Sequence, residues 1–258
     1  MRFTSLGSGS EGNALLVECA VGGRAVRLLI DCGFGVREFK RRLARVGLAP
    51  SDVDALLVTH EHSDHIGGAT RVSASFDIPL YMTAGTALAG LGTDTARAGF
   101  RLIDSHTCFE LEGVLIEPVP VPHDAREPVQ FVIDDGAARL GVLTDLGRST
   151  AHVVRSMSRL DAIVLECNHD ERMLEGGDYP YSLKRRIGGG FGHLNNRAAS
   201  ELLGAIDHSR LRTVVAAHLS RSNNRQELAR EALARVWGDG PESIVVADQD
   251  DGVGWIDV

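Results

Sequence analysis

Thr59-His60-Glu61-His62-Ser63-Asp64-His65-Ile66-Gly67-Gly68 follows directly on the apolar run Ala55-Leu56-Leu57-Val58, which reads as a buried strand. Three imidazoles and a carboxylate, His60, His62, His65 and Asp64, therefore fall within six positions where a strand stops. Imidazole nitrogen and carboxylate oxygen are ligands that borderline divalent ions such as Zn²⁺ or Mn²⁺ accept, and a turn leaving a strand can aim alternate residues at one point. His60 and His62 can share one ion. Asp64 and His65, where the chain turns into a helix, can reach a second ion a few ångströms away, as a two-metal hydrolytic site requires. A His-rich surface turn is the plain alternative; the preceding strand and the Gly67-Gly68 pair supply the context that the metal reading needs.

The 258 residues suffice for one large domain, and no Pro/Gly/Ser-rich linker divides them, so residues 1–258 are expected to share a single core. The opening Met-Arg-Phe-Thr-Ser-Leu-Gly-Ser-Gly-Ser has no apolar signal core and no apolar run approaches membrane-spanning length, which predicts a soluble, cytoplasmic protein. Cys19, Cys32, Cys108 and Cys167 lack CxxC spacing and read as free, mostly buried thiols. A net charge of −8 argues against a broad nucleic-acid-binding surface. Basic residues nevertheless gather locally, at Arg37, Lys40, Arg41, Arg42 and Arg45, at Lys184, Arg185 and Arg186, and at Arg221 and Arg225. Each group reads either as a solvated helix face or as a phosphate track.

Outward from the His-rich stretch, one pattern recurs. Gly7-Ser8-Gly9-Ser10-Glu11-Gly12-Asn13 is a turn between strands Arg2-Phe3-Thr4 and Ala14 to Glu18, whose N–H groups and hydroxyls could hold an anion. The strand Arg27 to Ile30 ends at Asp31, which suits a hydrogen bond to a backbone or imidazole N–H better than ligation. A helix follows near Val36 to Val46, then the strand Ile78 to Tyr81, a short helix over Thr83 to Leu91 and a polar loop from Gly92 to Arg97. Val114 to Val121 reads as an edge strand, because Pro118 and Pro120 cannot donate to a ladder, and it runs into His123. A hairpin, Gln130 to Ile133 and Arg139 to Thr144, ends at Asp145; Ala162 to Leu165 ends at Glu166 and His169; Thr213 to Ala217 ends at His218. Strands of a parallel or mixed sheet present their carboxyl ends along one rim, where residues distant in sequence can converge. His60, His62, Asp64, His65, His123, Asp145 and His218 then form a seven-ligand set for two ions. His106, His152 and His208 lack this placement.

These residues resemble the metallo-β-lactamase superfamily, whose HxHxDH motif stands here as His60 to His65. Gly7-Ser8-Gly9-Ser10 with Gly12-Asn13, His123-Asp124-Ala125, Thr144-Asp145-Leu146-Gly147, Glu166-Cys167-Asn168-His169-Asp170, Tyr179-Pro180, Leu183-Lys184, Gly192-His193-Leu194 and His218-Leu219-Ser220 with Asn223-Asn224 are similar to the YycJ/WalJ-like branch. Asn195 stands where that branch tends to carry Ser. The resemblance implies an α/β, four-layer αββα sandwich of two mixed sheets flanked by helices, two divalent ions (Zn or Mn), and 5′→3′ exonuclease activity on DNA linked to mismatch repair.

By the same resemblance, His60, His62 and His123 hold one ion, Asp64, His65 and His218 the other, and Asp145 bridges, so that a hydroxide shared by the ions attacks phosphorus in line. The leaving oxygen needs a proton, for which His193 is the first candidate and His169 the second. Ser8, Ser10, Asn13, Ser220, Asn223 and Asn224 are candidate phosphate donors, with Lys184 and Arg186 gripping the backbone further out. Glu166 is expected to orient a ligand. Two other function classes remain. One is another hydrolase on the same scaffold, such as an RNase Z-like RNA processor, a cyclic phosphodiesterase or a thioester hydrolase. The other is a metal-stabilised scaffold that binds DNA or a partner without cleaving it.

Overall fold

A computed structural model describes residues 1–91 and 99–258. The polar loop expected from Gly92 to Arg97 lies outside the described residues. The chain runs β1 (Arg2–Gly7), β2 (Ala14–Val21), β3 (Arg24–Ile30), α1 (Val36–Arg45), β4 (Ala55–Leu57), α2 (Ser63–Ile66), α3 (Ala69–Phe76), β5 (Leu80–Thr83) and α4 (Ala84–Leu91). After the undescribed residues come β6 (Phe100–Ile103), β7 (Phe109–Leu111), β8 (Val114–Pro120), β9 (Val129–Asp134), β10 (Arg139–Leu143), α5 (Ala151–Ser156) and β11 (Ala162–Glu166). The remainder is α6 (Glu171–Gly176), α7 (Tyr181–Ile187), α8 (Asn196–Ala205), β12 (Thr213–Ala217), α9 (Gln226–Trp237), β13 (Val245–Val246) and β14 (Val253–Asp257).

Among the described residues the strands form two seven-stranded sheets, ordered β14-β1-β2-β3-β4-β5-β6 and β13-β12-β11-β10-β9-β8-β7. Period-two alternation places Phe3, Val17, Leu28 and Leu57 of the first sheet against Phe131, Val142, Val164 and Val215 of the second, in a core between the sheets. The opposite faces are covered by helices. Leu16, Leu29 and Leu56 pack against Phe39 and Leu43 of α1 and Val72 of α3. Ile163, Leu165 and Val214 pack against Val153 of α5, Leu202 of α8 and Leu233 of α9. The layering is thus αββα, as the sequence led one to expect.

β8 departs from its expected edge position, since β7 and β9 both pair with it. The physical reason is length. β7 spans three residues and pairs only with Val114 to Ile116, so Pro118 and Pro120 lie beyond its reach, with β9 as their one neighbour. Cys19, Cys32 and Cys167 are buried free thiols and Cys108 is exposed. Among the described residues no helix is long and apolar enough to cross a membrane.

Candidate metal centre

In each sheet four neighbouring strands run parallel, β3 to β6 and β10 to β13. Their carboxyl ends share one rim. Asp31 follows β3, the His60 to His65 stretch follows β4, Asp145 follows β10, Glu166 ends β11 and His218 follows β12, while His123 leaves β8. α2 begins at Ser63, so Asp64 and His65 sit on one helical turn behind His60 and His62.

His60 Nε2 and His123 Nε2 lie 3.0 and 3.2 Å from His62 Nδ1. Nitrogens held by one tetrahedral Zn²⁺ at 2.0–2.1 Å would be about 3.3 Å apart, so this group already has a ligand spacing. The tautomers agree. Thr59 Oγ1 donates to Asp31 Oδ2 and therefore accepts from His60 Nδ1 at 2.9 Å, which leaves the lone pair of His60 on Nε2. His123 Nδ1 donates to the Gly192 carbonyl at 2.9 Å, with the same result. Burial pushes the pKa of His60 well down, and that of His123 down, so both rings are neutral ligands in waiting.

The second group is differently charged. Asp64 Oδ2 lies 3.3 Å from His218 Nε2 and 3.4 Å from His65 Nε2, and Asp145 Oδ2 lies 3.0 Å from His65 Nε2. Burial opposes charging His65, but Asp145, Asp31 and Asp64 outweigh it and raise its pKa well above the ordinary value. Burial likewise opposes His218, yet Asp145, Asp64 and Glu166 raise it to about 10. Asp145 Oδ2 is buried and makes no well-aligned hydrogen bond among the described residues, its near neighbour being His65 Nε2 at 3.0 Å. A buried ionised carboxylate costs several kcal/mol unless positive charge takes it up, which the protonated His65 and His218 rings do in the ion-free protein and a bound cation would do in their place. Asp145 stands between the two groups, with His60 on one side and His218 on the other. Spacing, tautomers and this buried acid all fit a divalent-metal centre.

Supporting contacts fix this geometry. Asp31 accepts from His65 Nδ1 at 2.7 Å and from Thr59 N and Oγ1, each at 2.8 Å. Asp31 and His218 both adopt left-handed backbone, at φ 61° and 55°, a strained conformation for a side-chain-bearing residue that turns each back from its strand end. The His218 turn is tied down by its N–H to Ser8 Oγ at 2.9 Å and by Asn168 Nδ2 to its carbonyl at 3.1 Å. Glu166, fully buried, accepts from Leu146 N, Leu194 N and His193 Nδ1, the last at 2.6 Å.

The sequence-predicted residues divide. All seven candidate ligands converge, and His193 joins them, its ring 5.2 Å from His123 and 5.4 Å from His218. Ser10 and Arg186 line the cavity of about 310 Å³ over the centre, together with Ser63 and Asp124. His169 does not: it lines a neighbouring cavity of about 630 Å³, and burial lowers its pKa to about 4, which leaves it neutral and a poor proton donor. Lys184 also lines that neighbouring cavity and donates to the Glu175 carbonyl.

Three of the residues read as phosphate donors, Ser8, Asn13 and Asn224, have buried side chains committed to the scaffold. Ser8 holds the His218 turn; Asn13 Nδ2 donates to Gly9 O and lies 3.2 and 3.1 Å from Asp64 Oδ2 and His65 Nε2. Asn224 bridges the Cys167 carbonyl and the Asn196 side chain. Asn223 is buried too, and among the described residues its side-chain Nδ2 has no hydrogen-bond partner. Ser220 faces a separate cavity of about 160 Å³. Asn195 caps α8 by accepting from Ala198 N at 2.7 Å, a job Ser performs as well, so its departure from the branch pattern is conservative. Sequence reasoning passed over Thr59, Asn168 and Ser63; for Thr59 the signal was its place beside His60 in the opening stretch.

Residues 26–219 match the family model described as a beta-lactamase superfamily domain. The chain is 33% identical over 242 residues to the exodeoxyribonuclease YycJ of Bacillus anthracis, covering 92% of this chain and 89% of that protein. It is 32% identical to the exodeoxyribonuclease WalJ of Streptococcus pneumoniae, covering 90% and 86%. Among solved structures, the metallo-beta-lactamase fold protein YhfI from Bacillus subtilis aligns over 99% of each chain with a TM-score of 0.74, at 15% identity.

Proposed function

This chain belongs to the beta-lactamase superfamily, in the branch of the YycJ and WalJ proteins, and from that premise we propose that it is a divalent-metal-dependent phosphodiesterase, a 5′→3′ DNA exonuclease of DNA maintenance. The observation that carries the proposal is the convergence of seven ligands, two of them with lone pairs already committed inward, in a chain similar over nine-tenths of its length to two exodeoxyribonucleases. Treating residues 1–258 as one domain is part of the same proposal, supported by β1 pairing with β14 from the far end of the chain. So is a cytoplasmic location.

His60, His62 and His123 would hold one Zn²⁺ or Mn²⁺ and Asp64, His65 and His218 a second, with Asp145 between them. When bound, such ions supply Lewis acidity, generating a nucleophile from water near neutral pH and offsetting charge on the phosphate oxygens. The chain supplies the rest. Ser10, Ser63 and Arg186 face the cavity where a phosphate diester would lie, and Asp124 holds Arg186 at 2.5 Å, fixing its direction. His193 is the general acid. Burial opposes its protonation, but the charge and hydrogen bond of Glu166, aided by Asp145, raise its pKa, and the bond from Nδ1 leaves Nε2–H free to protonate the departing oxygen.

Asp145→Ala and His62→Ala test the proposal when metal content and nuclease rate are measured together on single- and double-stranded DNA, a tRNA precursor and a thioester. Both variants are expected to lose ions and DNA cleavage in parallel. Full cleavage after loss of the ions would overturn the mechanism, and preferential turnover of tRNA or thioester would overturn the substrate.

A further inference from the structure

Two large aromatic side chains stand in solvent: Phe191, next to Gly192 and His193 of the metal cavity, is 56% exposed, and Tyr181, which lines the neighbouring cavity, is 75% exposed. Each has a guanidinium over its ring, Arg148 at 5.3 Å from the Phe191 centroid and Arg185 at 5.9 Å from that of Tyr181. Among the described residues neither arginine forms an ion pair, whereas Arg186, next to Arg185, is held by Asp124. From Tyr179 to Ser200 the chain has no Asp or Glu and carries Lys184, Arg185, Arg186 and Arg197, against a net charge of −8 overall.

The Phe191 backbone is held in place from both sides. A Cβ on Gly147, just past Asp145 on the β10 side, would stand 2.5 Å from the Gly190 carbonyl carbon and the Phe191 Cα. One on Gly192 would stand 2.1 Å from the Ile187 carbonyl oxygen at the end of α7. Such close backbone approach, possible only with glycine, wedges the Phe191 backbone between the Asp145 turn and α7, immediately before the His193 segment. The backbone thus fixes where the exposed side chain leaves the chain, one residue before Gly192 and His193 of the reactive cavity.

We propose that Phe191 with Arg148, and further out Tyr181 with Arg185, form a stacking track for the unpaired bases of a nucleic-acid strand whose phosphate lies in the metal cavity. This deepens the phosphodiesterase reading and rests on it: the substrate end is single-stranded when it enters. Every base has a π-face, so aromatic rings hold a strand without regard to sequence, and a guanidinium beside each ring adds cation–π and phosphate contact. A base stacked inside a duplex has no face free to meet the ring, and a blunt end exposes only its terminal pair, so a track of two rings needs unpaired bases. A protein partner would instead favour aliphatic neighbours around the aromatics, whereas each ring here has a guanidinium over it, even though Leu174, Glu171 and Glu175 share the cavity that Tyr181 lines.

The experiment is fluorescence anisotropy of the metal-loaded protein with a labelled phosphorothioate oligothymidylate that resists hydrolysis, with its end nucleotides either intact or abasic. The unmodified protein should lose about ten-fold in affinity when the bases are removed. Phe191→Ala and Tyr181→Ala should each reduce the preference for bases, the double variant should bind both strands equally weakly, and Phe191→Trp should restore the preference. Equal binding of intact and abasic strands by the unmodified protein, a preference undiminished in Phe191→Ala or surviving in the double variant, or a blunt duplex bound as tightly as the single strand would each overturn the track. Binding is read without turnover, so these outcomes are separate from failure of the hydrolase reading, which would show as strand binding with no cleavage of an ordinary phosphodiester.

Discussion

The Asp31 carboxylate accepts a hydrogen bond from His65 Nδ1 at 2.7 Å, and it does so from a left-handed backbone at the end of β3. One buried acid thereby fixes the tautomer of a metal-ligand candidate on α2, and through Thr59 it fixes His60 as well.

Replacing Asp31 removes that anchor. Asp31→Ala is expected to weaken metal affinity by about 10–100-fold, the usual effect of losing a carboxylate behind a ligating imidazole. It should also destabilise the fold by about 1–3 kcal/mol, since Thr59 N–H and Oγ1 are left buried without their acceptor. Metal titration followed by thermal melts of loaded and stripped protein separates the two effects.

Metal uptake should release protons. In the ion-free protein the carboxylates keep His65 and His218 protonated, with His218 at about 10, so a cation must displace those protons. The sign follows: the folded value lies above the unfolded one, so the stability these rings lend to the ion-free protein is full below about pH 6.5 and is lost as pH rises toward 10. Metal affinity runs the other way and weakens as pH falls. Calorimetry at pH 7.5 in two buffers of different ionisation enthalpy should show release of about two protons per loaded protein; zero release would contradict this charge arrangement.

Glu166→Gln separates positioning from ligation. Glu166 sustains the raised pKa of His193, and a general acid works only while protonated. The variant should therefore move the alkaline limb of the pH–rate profile to lower pH. His193→Gln should lower kcat by about 10²–10⁴-fold with ions retained. Loss of ions in His193→Gln would reassign that ring to ligation.

Gly68→Ala should act from outside the centre. A Cβ there would stand 1.8 Å from the Phe34 carbonyl oxygen, so the loop after β3 and the start of α3 must part. Overpacking of this kind costs about 1–3 kcal/mol. A fall in Tm of the metal-loaded protein, with the rate per bound ion little changed, is the expected result.

The metal ligands were legible because chemistry and pattern coincided: each ligand outside the His60–His65 stretch stands where an apolar run stops, and parallel strands bring such ends to one rim. The phosphate donors were less so. Ser8, Asn13 and Asn224 have the right groups for an anion, but whether a side chain meets substrate or a neighbouring turn depends on burial, and these three are buried with their polar atoms bonded to nearby backbone.

By itself, then, the sequence determined the strand-end ligands and the His-rich turn, since periodicity and ligand chemistry are local properties of a chain; the αββα layering was legible only through the resemblance that its motifs carry. Only the tertiary structure decided that Asp31 orients His65, that His193 faces the centre while His169 turns to the next cavity, and that Phe191 is held at the cavity's edge. Those depend on which backbones approach within a few ångströms, a relation between residues far apart in the chain that no local pattern encodes.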